Sequence, residues 1–179
     1  MQEATATFDA DGLVEPMRPA RDEDTKPSIA VLPFRLLGDA GPYATIADAL
    51  PDELIAELPR LRWLFVIARV SSFRFRSAAP DPAEVGALLG VRYSLSGTVE
   101  ITTTTLAVTA RLVDTRDGGV VWGDRFVSRI ADVHDTRATM LARNVAALEL
   151  QIPLNERARR AWSRRRISMH DLPAISGCG

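Results

Sequence analysis

Two short and almost wholly apolar runs, Ser28 to Phe34 (S-I-A-V-L-P-F) and Leu64 to Phe73 (L-F-V-I-A-R-V-S-S-F), constrain this chain more than any other feature. Continuous runs of that size, ended by turn or polar residues, read as strands buried on both faces, as in parallel sheets. Between them lies one helix-length segment in which Tyr43, Ile46, Ala47, Leu50, Leu54 and Leu58 recur at helical spacing. Strand, helix and strand in that order predict a βαβ unit. Pro51 lies inside the helical pattern and predicts a kink or restart, with Asp52, Glu53 and Glu57 facing water. Open α/β sheets hold ligands outside the carboxyl ends of their strands, and the pattern puts Arg35, Arg69, Ser71 and Ser72 there. Arg69 with the two hydroxyls suits an anion or carboxylate held by charge-assisted hydrogen bonds. Capping and turn formation are the competing roles for Ser71 and Ser72.

Downstream, D-P-A-E-V-G-A-L-L-G from Asp81 to Gly90 has an Asp cap, Pro in the first turn and a terminating Gly. It predicts a short helix burying Val85, Leu88 and Leu89. From Val91 the period changes to two, with Val91, Tyr93, Leu95, Gly97, Val99 and Ile101 alternating with Arg92, Ser94, Ser96, Thr98 and Glu100. Thr102 to Thr104 turn the chain, Leu106, Val108, Ala110 and Leu112 make a second strand, and D-T-R-D-G-G leads to V-V-W-G-D-R-F-V. These residues predict a three-stranded antiparallel meander. Gly97 and Gly123 inside strands mark bulges or, preferably, close packing. A last helix is predicted from Val133 to Leu150, capped by Asp132 and ended or interrupted by Pro153.

The chain divides into an acidic linker or disordered lead (1–26), one α/β domain (27–152) and an arginine-rich, partly helical tail (153–179). With 179 residues, 46% of them hydrophobic, one core of ordinary domain size can form. A net charge of -1 supplies no global drive toward nucleic acid or anionic lipid. Nucleic-acid contact therefore falls to the tail, where Arg159, Arg160, Arg164, Arg165 and Arg166 could meet phosphates beside Trp162. The first residues lack a basic start and an apolar core, so no signal peptide is expected, and no run approaches the length that spans a bilayer.

Catalytic and metal chemistry find no footing in the residue inventory. G-D-A-G-P lacks the glycine and lysine order of a phosphate loop, and Lys26 precedes the first strand. His134, His170 and Cys178 are dispersed, which argues against zinc, a cysteine nucleophile or a disulfide. Neither Ser71 nor Ser72 has a histidine base in view. No catalytic residue, metal or cofactor is expected, and the single cysteine favours the cytoplasm.

Taken in order, K-P-S-I-A-V-L-P-F, A-D-A-L-P-D-E-L-I-A-E-L, F-V-I-A-R-V-S-S-F, E-V-G-A-L-L-G-V-R-Y-S-L-S-G-T-V and A-R-L-V-D-T-R-D-G-G-V-V-W-G-D-R-F resemble the TolB-like amino-terminal domain of bacterial regulatory proteins, over residues 26–150. Ala49 stands where relatives commonly have Gly, and Pro51 where they have another residue. The tail after Ile152 does not continue as recognisable helical repeats. The resemblance implies a regulatory or interaction module, found between a nucleotidyl cyclase or winged-helix output domain and tetratricopeptide repeats, with no catalytic residues to transfer. The expected fold is α/β: a mixed sheet with a parallel βαβ start and an antiparallel three-stranded meander, covered by three helices. The expected function is non-catalytic, binding a partner protein or small ligand and relaying that state to an output domain. The alternatives are part of a DNA-binding transcriptional regulator and the regulatory region of an adenylate or guanylate cyclase.

Overall fold

The first apolar run forms β1 (Ser28–Val31), in which Ile29, Ala30 and Val31 have no exposed surface. The computed structural model describes residues 26–38, 41–76 and 80–170, the side chains of Pro42, His134 and residues 166–170 excepted. The acidic lead before Lys26, and the tail with Cys178, lie outside the described residues.

After Leu32, Pro33 and Phe34 the chain resumes as β2 (Arg35–Leu37), a strand that the sequence pattern did not announce. The run from Leu64 contributes β3 (Phe65–Val66), and the alternating segment forms β4 (Tyr93–Ile101). Both β3 and β4 flank β1 in parallel, and β2 runs parallel to β4 further along, with Arg35–Leu37 opposite Thr98–Glu100. The meander continues antiparallel through β5 (Thr105–Asp114) and β6 (Val120–Arg129), giving the order β3-β1-β4-β5-β6. The sheet is mixed, as the α/β expectation required, and β2 makes it six-stranded.

Period two decides which face each residue serves. Ile29, Val31, Tyr93, Leu95, Val99 and Leu112 join Leu50 and Leu54 of α1 (Ile46–Glu57) and Leu148 and Ile152 of a long terminal helix in the main core. The intervening Ala30 and Leu32 pack on the other face with Val85, Leu89 and Val91. The short 69–72 segment is α2 (Arg69–Ser72) and the capped segment is α3 (Pro82–Leu89), making α4 (Val133–His170) the terminal helix. The α3 cap follows expectation: the Asp81 carboxylate accepts from the Ala83 N–H at 3.0 Å, and Gly90 closes the helix at φ 62°.

Five expectations need correction. The second apolar run is not a strand to Phe73: its pairing with β1 stops at Val66, opposite Ile29, with the Ile67 N–H still bonded to the Ile29 carbonyl, and the chain then coils into α2, where the Ser71 and Ser72 N–H groups bond to the Ala68 carbonyl. Leu88 is 62% exposed, because α3 packs through Val85, Gly86 and Leu89 on its other side. The first helix begins at Ile46, Tyr43 lying in a preceding 3₁₀ turn, and it runs through Pro51 without restarting. Gly123 has no close neighbour beyond the Ala110 carbonyl at 3.5 Å from an added Cβ, so close packing applies to Gly97 but not to it. Last, α4 does not end at Pro153 but continues to His170. A proline inside a helix loses one hydrogen bond and crowds the preceding turn, yet Ile152 is fully buried and Glu156 is only 8% exposed. Contacts made one turn beyond the proline hold the helix across it.

Candidate functional site: an ionic junction at one end of the sheet

The carboxylate and guanidinium groups that α4 brings to the sheet meet where β4 begins and β5 ends. Tyr93 and Asp114 are direct partners in the β4–β5 ladder, so both side chains point to the face that α4 covers. Tyr93 is fully buried and Asp114 is 1% exposed. The Tyr93 hydroxyl donates to Glu156 Oε1 at 2.6 Å, and Arg92 Nη1 donates to Glu156 Oε2 at 2.9 Å. Arg116 Nη2 reaches Glu156 Oε1 at 3.4 Å.

Asp114 is held from more directions still. It accepts from Arg116 Nε at 2.9 Å, Arg116 Nη2 at 2.7 Å and the Arg116 backbone N–H at 3.1 Å. The Asn155 amide nitrogen bridges Tyr93 Oη at 2.9 Å and Asp114 Oδ2 at 3.0 Å, while Arg159 Nε pairs with the same oxygen at 2.6 Å. Arg159 also pairs with Asp117 in the β5–β6 hairpin. Glu156, Asp114 and Asp117 are thus set against Arg92, Arg116 and Arg159, a balanced cluster suited to partial burial.

These contacts fix the charge states. Burial pushes the Asp114 carboxyl up, but the hydrogen bonds and charge of Arg116, with the charge of Arg159, outweigh it and hold Asp114 below its ordinary value. Asp117 is lowered by the Gly119 N–H and by Arg159, with slight burial opposing. Burial, the bond to Glu156 and the nearby carboxylates raise the Tyr93 phenol well above its ordinary range. Burial disfavours the charged Arg116, but the bonds and charge of Asp114, helped by Glu156, raise it on balance. None of these four shifts brings a group toward neutral pH, where a proton could be passed easily. The arrangement acts as a latch between α4 and the sheet.

The residues singled out beforehand lie elsewhere, apart from one. Arg35 is exposed at the start of β2 opposite Thr98. Arg69 pairs with Asp52 at 3.0 Å and lies 4.3 Å over the Phe73 ring, which Arg76 approaches to 5.4 Å. Ser71 is half-buried in α2, and Ser72 is fully buried with no hydrogen bond to its hydroxyl. Among the described residues no hydrogen bond or ion pair joins Arg35 to Arg69, Ser71 or Ser72. In the arginine row, Arg159 turns inward to the latch, Arg160, Arg164 and Arg165 are exposed, and the Arg166 side chain is outside the description. A hollow of about 250 Å³ between α1 and α4 is lined by the ion-paired Glu53 and Arg137 with Ala138 and Leu141. Among the described residues no His, Cys, Asp and Glu cluster could hold a metal ion, and no helix is long and apolar enough to cross a membrane.

Reading residue types missed the latch, although the periods carried its signal. Asp114 continues the buried alternation of Leu106, Val108, Ala110 and Leu112, and Glu156 continues the i, i+4 row of Leu148 and Ile152. A charged residue in register with a buried stripe points to a buried partner.

No family model matches the chain. It is 34% identical over 135 residues to the protein named "Putative adenylate cyclase 3" of Rhizobium meliloti (strain 1021), covering 75% of this chain and 23% of that protein. The chain therefore spans about a quarter of that relative's length. Among solved structures it is similar to the lipoprotein GNA1162 from Neisseria meningitidis (TM-score 0.47, 20% identity, 66% of this chain and 96% of that one). It is also similar to TolB from Acinetobacter baumannii (TM-score 0.43, 14% identity, 69% of this chain and 29% of that one).

Proposed function

We propose that this chain is a non-catalytic regulatory or interaction module of a bacterial, cytoplasmic signalling protein of the adenylate cyclase kind. It binds a partner protein or small ligand and relays the bound state to an output domain. The observation that carries this reading is the likeness to the Rhizobium meliloti protein, which falls on a segment forming a minority of that protein. The ordered motifs resembling a TolB-like amino-terminal domain agree with it. The latch adds a physical route for the relay: α4 is 38 residues long, and Glu156 and Arg159 fasten it to the sheet where it begins to leave the core. A change at the sheet that loosens the latch frees the second half of a continuous helix.

A chimera tests this reading. The matching segment of the Rhizobium meliloti protein is exchanged for this chain, and cyclic AMP is measured in a cyclase-deficient host. The expected result is cyclic AMP formation that changes when Glu156→Gln is introduced. Identical output from the chimera, its Glu156→Gln form and a version carrying an unrelated spacer of equal length would rule the module out as a regulator.

A further inference from the structure

The outward side of the second half of α4 has no described partner. At 3.6 residues per turn, Leu148, Ile152 and Arg159 face the sheet, and Leu150, Leu154 and Ala161 fall in a row on the opposite side. Leu150 is 58% exposed and Leu154 47%. Arg157, Arg160 and Arg164 flank this seam and Arg165 lies along it. All four are exposed, and among the described residues none is ion-paired. A narrow apolar seam edged by uncompensated positive charge fits an occupant with acidic and apolar side chains together. A second copy of α4 is a poor fit, because it would set arginine against arginine.

The first 25 residues of the chain have the matching chemistry. Glu3, Asp9, Asp11, Glu15, Asp22, Glu23 and Asp24 outnumber Arg18 and Arg21, and Phe8, Leu13, Val14 and Met17 are interspersed among them. The tether is also in the right place. Ser28 Oγ accepts from the Arg92 N–H at 3.0 Å, and Arg92 Nη1 donates to Glu156 at 2.9 Å, so the chain joins the sheet one residue away from α4. From Ser28, Asp22 reaches about 20 Å and Asp24 about 13 Å at ~3.3 Å per residue, and along the helix Arg160 lies about 6 Å and Arg164 about 12 Å beyond Glu156.

We propose that residues 1–25 dock on the arginine-flanked seam of α4 in the same chain, with Asp22, Glu23 and Asp24 pairing with Arg160 and Arg164 and the apolar residues covering Leu150 and Leu154. This goes beyond the regulatory reading and does not depend on it. Tethering gives the segment a high effective concentration at the seam, which makes it a built-in competitor for any acidic partner of α4.

The test uses the full chain and the guanidinium reagent phenylglyoxal, read residue by residue by mass spectrometry. At low salt, Arg160 and Arg164 are expected to react about threefold more slowly in the native sequence than in D22N/E23Q/D24N, a difference that ~0.5 M NaCl removes. Arg129, 80% exposed at the end of β6, serves as the control and reacts equally in both. Protection that survives a hundredfold dilution establishes docking within one chain. Equal reactivity of Arg160 and Arg164 in the two proteins overturns the proposal, and protection that fades on dilution overturns it in favour of docking on a second copy. The described core clusters are built from residues beyond the lead, so loss of the fold in D22N/E23Q/D24N, read by circular dichroism, also counts against an independent docking segment.

Discussion

Replacing Glu156 with alanine isolates the latch. The change leaves the Tyr93 hydroxyl, in a residue with no exposed surface, without its acceptor at 2.6 Å. It also takes the carboxylate from Arg92, whose side chain is 11% exposed. Removing one partner of a buried ion pair costs about 3–5 kcal/mol, because the remaining charge stays desolvated. Arg116 keeps Asp114 and Arg92 keeps a further interaction, so the low end, about 3 kcal/mol, is the upper figure for Glu156→Ala. Glu156→Gln retains an acceptor for Tyr93 and should lose about 1–2 kcal/mol. The exposed Glu57–Arg60 pair, with side chains 36% and 70% exposed, sets the baseline, and Glu57→Ala should cost about 0–1 kcal/mol. Urea midpoints measure the global loss. Hydrogen exchange locates it, since a local loss of about 3 kcal/mol speeds exchange at Asn155 to Arg160 by ~10²-fold. Removing the polar groups together, as in Arg92→Met/Tyr93→Phe/Glu156→Leu, should destabilise less than Glu156→Ala alone. A Glu156→Ala loss no larger than that of Glu57→Ala would refute the reasoning.

Three further outcomes test other parts of the fold. Asp114 has a folded value below its ordinary 3.8, so its contribution is complete above that pH and is lost as pH falls through the folded value. Acid titration of stability should therefore show a steeper decline below about pH 4 for the native chain than for Asp114→Asn, which starts less stable at neutral pH. Gly97→Ala puts a methyl 2.6 Å from the Thr109 carbonyl and 2.8 Å from the Phe34 ring. It should cost about 1–3 kcal/mol in denaturant titration, and Phe34→Leu should not restore it, because the carbonyl remains. Asp81→Ala removes the α3 cap and should cost about 1 kcal/mol, with exchange accelerated first at Ala83.

Much of the fold was legible because its period is strict. The meander from Tyr93 to Arg129 follows from alternation and from two turns rich in Thr, Asp and Gly, and α3 follows from its Asp, Pro and Gly markers. What escaped was decided by neighbours distant in the chain. The strand β2 exists because Thr98–Glu100 offers it a ladder, and Leu64 to Phe73 stops pairing after Val66, opposite Ile29, although β1 runs on to Val31. Neither fact is written in the local residues. Tertiary pairing overrides local preference where short segments compete.

The arginine row shows the same limit, and its resolution, at the scale of a site. As residue types, Arg159, Arg160, Arg164 and Arg165 are equivalent, and composition invites a single role for all of them. The helix separates them. Continued through Pro153, the period places Arg159 seven residues after Ile152, on the buried side, where Asp114 and Asp117 take its charge. Its neighbours turn outward and keep theirs. That division depends on the helix not breaking at the proline, and the helix crosses the proline because Glu156, one turn later, is held by Tyr93 and Arg92. The latch therefore decides which arginines are structural and which are free to meet a partner. Weakening Glu156 should expose Arg159 to phenylglyoxal together with the outward row, and continued protection of Arg159 in Glu156→Ala would mean that Asp114 alone orients this part of α4.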